Sequence, residues 1–128
     1  MPGRLNCLSK PELKLALMAT TMLRSGRSAI APALPMRSIV VAMSASFNSG
    51  FDKQFNLPGT YAPTASYPLL HAAVDAAKRL DIPVTVGNIL SNDLFYDDGM
   101  RTLEWRKMGV LAVEMESAAL YMLSLIHI

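Results

Sequence analysis

The stretch Gly109–Tyr121, GVLAVEMESAALY, decides how this chain is read. It opens on Val110, Leu111 and Val113, apolar and mostly β-branched residues that suit a buried strand. Two carboxylates, Glu114 and Glu116, then flank Met115, and from Ser117 onward Ala and Leu dominate, as in a helix. A strand passing directly into a helix sets both acids at the carboxyl end of a sheet, where open α/β folds bind ligands.

The same grammar extends upstream. Met100 to Met108 reads as a helix, and Gly109 stands at the position just past a helix end that favours glycine. Before it, PVTVGNIL at Pro83–Leu90 alternates as a strand, with Gly87 marking a close approach of backbone or ligand. SNDLFY at Ser91–Tyr96 reads as the turn beyond that strand. Ser66 predicts an N-cap for a helix carrying Leu69, Leu70, Ala73, Ala77 and Leu80 on one side and Asp75, Lys78 and Arg79 toward water, ended by Pro83. SIVVAMSA at Ser38–Ala45 is a short continuous apolar run, as in a buried strand. Between these, Ser46 to Ala65 forms a long polar and aromatic connection of the kind that is often a functional loop. A further helix is expected over Glu12–Leu23, after Pro11. Strand and helix alternating in this way predicts an α/β layer architecture with parallel pairing.

Composition narrows the function. At 128 residues, 52% of them hydrophobic, the chain suits one packed domain. Residues 1–28 carry five basic side chains against Glu12 alone, whereas the remaining residues carry seven basic and nine acidic ones. That body lacks the sustained basic patch of a nucleic-acid surface. The basic, acid-poor start has something of a transit peptide, but Pro2 and Pro11 interrupt any helix there and no cleavage pattern follows. Cys7 is the only cysteine, which excludes an intrachain disulfide and a cysteine-based metal site and suits a reducing, cytoplasmic setting. The longest apolar run near the start, Leu15–Met18, is far short of a membrane span. Glycine-rich phosphate loops, paired helical histidines and a nucleophile elbow are all absent from the sequence. His71, inside a helix, and His127, next to the last residue, read as structural or solvent-facing.

Two turns after strands therefore carry the chemistry, one with Asp93, Phe95 and Tyr96, the other with Glu114, Met115 and Glu116. Such a set suits a sugar-plus-base ligand. A carboxylate accepts hydrogen bonds from vicinal hydroxyls, an aromatic ring stacks on a flat heterocycle, and a thioether covers the apolar edge of a furanose. Each residue has a plainer use as well: a Phe-Tyr pair after a strand packs a core, and Glu114 can stabilise the following helix through its dipole.

SNDLFY followed by GVLAVEMESAALY closely resembles the bacterial hexameric purine nucleoside phosphorylases, in which the segments read SADLFY and GVLAVEMEAAALY. The resemblance extends through VGNIL at Val86–Leu90, DAAKRL at Asp75–Leu80 and RSIVVAM at Arg37–Met43, covering about residues 29–123. It implies a partial nucleoside phosphorylase fold, a mixed or parallel sheet flanked by helices, over that range. Residues 1–28 and 124–128 stand outside it as non-matching segments. Phe95 then corresponds to the purine-stacking ring, Glu114 and Met115 to the nucleoside-pocket lining, and Glu116 to the glutamate that binds the ribose hydroxyls. The implied reaction is phosphorolysis of purine (deoxy)nucleosides to free base and (deoxy)ribose 1-phosphate, by a homohexamer, with no metal or organic cofactor.

Departures from the family pattern temper the activity expected. The family's phosphate pattern, like RVGSCGAI, meets RSGRSAI at Arg24–Ile30, one residue short, so Arg24 is the phosphate candidate and the serine has no counterpart. The Ser-Asp-His segment that supplies the family's general acid does not occur in the sequence, and a shifted reading frame or an incomplete gene would explain both ends. The chain as written is expected to have impaired phosphorolysis. Two other readings stay open: a uridine phosphorylase or related nucleosidase, against which Asp93–Tyr96 argues, and a non-catalytic nucleoside-binding or subunit-interaction piece.

Overall fold

The computed structural model describes residues 38–94 and 100–127. The expected Glu12–Leu23 helix, Arg24 and Phe95 lie outside them. Strand β1 (Ile39–Asn48) is followed by a short 3-10 turn (Phe51–Phe55) and helix α1 (Tyr67–Arg79). Then come strand β2 (Val84–Asn92), helix α2 (Met100–Lys107), strand β3 (Val113–Glu114) and helix α3 (Ser117–His127). The three strands form one sheet in the order β1-β2-β3, and both pairings are parallel.

β1 runs three residues beyond the apolar run, and a register shift between Ala42 and Ser44 makes this possible. Without it, every second residue from Val40 would face one side. With Met43 as the extra residue, Val40, Ala42, Ala45 and Phe47 all join one core cluster. The displaced serines serve the other face: Ser44 Oγ donates to Asn88 Oδ1 at 3.0 Å, and Asn88 Nδ2 donates to Ser46 Oγ at 2.8 Å. The outer edge of β1 is partly covered by the end of the long connection. Ala45 N donates to Pro63 O and Ala65 N to Met43 O, both at 3.0 Å, blunting an edge that would otherwise invite pairing with another chain.

The main core lies between the sheet and α3. It joins Val40, Ala42 and Ala45 of β1 and Ile89 of β2 to Ala112, Ala118 and Tyr121, with Leu111 packed against it. Leu111 lies over Gly87, where an added Cβ would stand 2.5 Å from its Cδ1. The close approach expected at this glycine is made by a side chain. A second, smaller cluster joins Leu90 and Val110 to Trp105 and Val113.

Both helix ends before a strand use the same device. At α2, Val110 N reaches back to Trp105 O (3.2 Å) and Gly109 N to Arg106 O (2.9 Å), with Gly109 at φ +79° and Val110 packed with Trp105. This is a Schellman motif. At α1, Ile82 N bonds Ala77 O (2.9 Å) and Asp81 N bonds Lys78 O (3.2 Å), with Asp81 at φ +53°. α1 thus stops at Arg79, ahead of Pro83, and Leu80, expected on its apolar side, is 69% exposed as the capping residue. Ser66 caps the other end through its carbonyl, which accepts from Leu70 N at 2.9 Å, and its side chain makes no capping bond.

Candidate functional site

The carboxyl ends of β1 and β2 are tied together by side chains. Asn48 Nδ2 donates to Asn92 Oδ1 at 2.8 Å, and Asn92 Nδ2 donates to Leu94 O at 2.7 Å. Asp93 accepts from Gly50 N at 3.1 Å. Ser91 and Asn92, expected in the turn, are the last two residues of β2 and are almost fully buried. Their polar side chains obscure the strand in the sequence. Each has a partner across the sheet, and that removes the cost of burying it.

Ser91 stands directly opposite Glu114 in the parallel ladder. Neighbouring strand positions send their side chains to the same face, so the hydroxyl and the carboxyl meet. Ser91 Oγ donates to Glu114 Oε1 and accepts from Ala118 N at 2.9 Å. The other carboxylate oxygen, Glu114 Oε2, accepts from Glu116 N at 2.7 Å and from Ser117 N at 2.6 Å. A helix begins with unpaired amides and a positive dipole end, and here its own preceding strand supplies the acceptors. Glu114 is buried (9% exposed), with both oxygens engaged inside the protein.

Met115 and Glu116 occupy the two-residue link between β3 and α3 and both are exposed. Glu116 is the N-cap of α3 by its carbonyl, which accepts from Leu120 N at 2.9 Å. Its carboxylate has no hydrogen-bond or ion-pair partner among the described residues. The link therefore presents one free acid and one thioether at the carboxyl end of the sheet, above a buried acid that anchors them. Sequence reasoning missed Ser91 as part of this arrangement, because only the strand register sets it against Glu114.

Further down α3, Tyr121 crosses the core and donates to Ala42 O at 2.8 Å. Burial, and then the nearby charge of Glu114, push its phenol up to about 12. The Ser117 hydroxyl is fully buried and has no hydrogen-bond partner among the described residues. Among the described residues no group of three His, Cys, Asp or Glu side chains is placed to hold a metal ion, and no helix is long and apolar enough to cross a membrane. Among the described residues, one surface depression lies beside Asp52, Lys53 and Asn56 and another on α2, neither of them lined by Met115 or Glu116.

The sequence model of the phosphorylase superfamily matches residues 15–126. The chain belongs to the phosphorylase superfamily. Its curated relatives include proteins named purine nucleoside phosphorylase DeoD-type. The one from Thermoanaerobacter sp. (strain X514) is 50% identical over 95 residues, 73% of this chain and 40% of the relative. That from Caldanaerobacter subterraneus subsp. tengcongensis is 45% identical over 116 residues, 88% of this chain and 50% of the relative. That from Geobacillus kaustophilus is 40% identical over 114 residues, covering 88% and 48%. The phosphorylase-superfamily chain thus spans about half the length, or less, of these relatives.

Proposed function

We propose that this chain carries the nucleoside-binding side of a purine nucleoside phosphorylase, the protein as a whole converting a purine (deoxy)nucleoside and phosphate to free purine and (deoxy)ribose 1-phosphate. The observation that carries this reading is the exposed Glu116 carboxylate, without a partner among the described residues and held at the N-cap of α3 beside exposed Met115. The names of the relatives support the substrate class. Cleaving an N-glycosidic bond builds positive charge on the ribose ring. A carboxylate that accepts hydrogen bonds from the ribose hydroxyls orients the sugar and strengthens its hold as that charge develops. On this reading Glu116 is the ribose ligand, Met115 covers the sugar, Phe95 stacks on the purine and Arg24 is the phosphate candidate. The whole protein would be a cytoplasmic homohexamer that needs no metal or organic cofactor.

Calorimetric titration of the full chain with inosine tests it. Binding that Glu116→Ala weakens at least about tenfold is expected, since a hydrogen bond to a charged group contributes about 1.5–3 kcal/mol. Inosine affinity untouched by Glu116→Ala would remove the basis of the assignment. In a phosphorolysis assay the chain by itself is expected to turn inosine over poorly.

A further inference from the structure

Glu116 is held at both of its backbone groups: its amide donates to Glu114 Oε2 at 2.7 Å, and its carbonyl accepts the first helical bond of α3. Its neighbour Ser117 is held by the same carboxylate oxygen. Glu114 is in turn held by Ser91, whose hydroxyl spans β2, β3 and α3 by donating to the carboxylate and accepting from Ala118 N. The position of the exposed acid is thus set by a buried acid two residues earlier and a serine on the adjacent strand.

We propose that Glu114 and Ser91 are positioning residues of the nucleoside site, acting on the ligand through the backbone of Glu116 and not by touching it. The inference rests on the nucleoside reading given above. A carboxylate offers about four acceptor positions. Three of Glu114's are filled by Ser91 Oγ, Glu116 N and Ser117 N, and the group is buried. The one position left lies on Oε1, and with Glu114 only 9% exposed a ribose hydroxyl has little access to it. A corollary concerns the anionic co-substrate: the amides of residues 116, 117 and 118 are already satisfied internally, so these three are not open to phosphate.

A double-mutant cycle in the full chain tests the proposal, using Glu114→Gln, which keeps the side-chain shape, and Ser91→Ala as an independent break of the same network. Inosine affinity should fall about tenfold in each single variant, the effect of misplacing one charged hydrogen bond. In a Glu116→Ala background the further change on adding Glu114→Gln should be less than about twofold, because nothing remains to position. An equal loss in both backgrounds would mean that Glu114 contacts the nucleoside itself and would overturn the proposal. Glu116→Ala without effect would instead reject the nucleoside reading. Hydrogen exchange supplies a readout that needs no ligand. Glu114→Gln should speed exchange of the Glu116 and Ser117 amides at least about tenfold while leaving that of Ile89, in the core of β2, unchanged. Unchanged exchange at Glu116 would refute the positioning role whatever the binding result.

Discussion

Replacing Tyr121 by Phe should destabilise the protein at neutral pH and lose that effect in alkali. The phenol is 8% exposed and its hydroxyl donates to the Ala42 carbonyl at 2.8 Å, joining α3 to the strand where the register of β1 shifts. Deleting the hydroxyl removes a buried hydrogen bond and costs about 1–2 kcal/mol at pH 8. The phenol is pushed up to about 12 in the folded protein from its ordinary 10.0, first by burial and then by the charge of Glu114. Between those values the unfolded chain has lost the proton that the folded chain keeps, so stability falls as pH rises. The contribution is complete below pH 10 and declines through 12. At pH 11 the unfolded phenol is about nine-tenths ionised and the folded one about one-tenth, which removes about 1.4 kcal/mol from the wild type alone. Urea denaturation of both proteins at pH 8 and pH 11 measures the difference, since the two chains differ only in this hydroxyl. The gap should shrink to near zero, or reverse, at pH 11. A gap that stays constant would show that Tyr121 is not buried against β1 as described.

Ser117→Ala should stabilise the protein by about 0.5–1 kcal/mol, read as a higher urea midpoint. It removes a fully buried hydroxyl that has no partner among the described residues and installs alanine, which the purine nucleoside phosphorylase segment GVLAVEMEAAALY carries there. Gly109→Ala should cost about 1 kcal/mol at the left-handed residue of the α2 Schellman motif, whereas Asp81→Gly, at the matching position of α1, should gain up to about 1 kcal/mol in the same denaturation series.

The order of elements was legible because each carries a local signature. The apolar run at Ser38–Ala45 marked β1, the alternation over Pro83–Leu90 marked β2, the Ser66-to-Pro83 interval marked α1, and Gly109 marked the stop of α2. Element ends were less legible where tertiary partners override local preference. Ser91 and Asn92 read as turn residues by type, yet both lie in β2 because Glu114 and Asn48 satisfy their side chains across the sheet. α1 ends before Pro83 forces it to, because Asp81 adopts a left-handed conformation that aspartate tolerates only modestly.

Glu114 and Glu116 show the same division at the site. Sequence alone set two acids at a strand-to-helix junction and, through the resemblance of VEME with DLFY, the substrate class to consider. The resemblance gave Glu116 the ribose hydroxyls and Glu114 the pocket lining, with stabilisation of the following helix as a plainer use of Glu114, but composition and spacing alone set the two side by side with the same chemistry. The tertiary structure shows how each is bonded. Parallel register sets Ser91 against Glu114, and the start of α3 presents its open amides to that one carboxylate. One residue-pair later the chain has turned outward, and Glu116 stands exposed. Which acid is spent on the fold and which stands exposed depends on strand register and helix direction, relations between distant residues that no local pattern encodes.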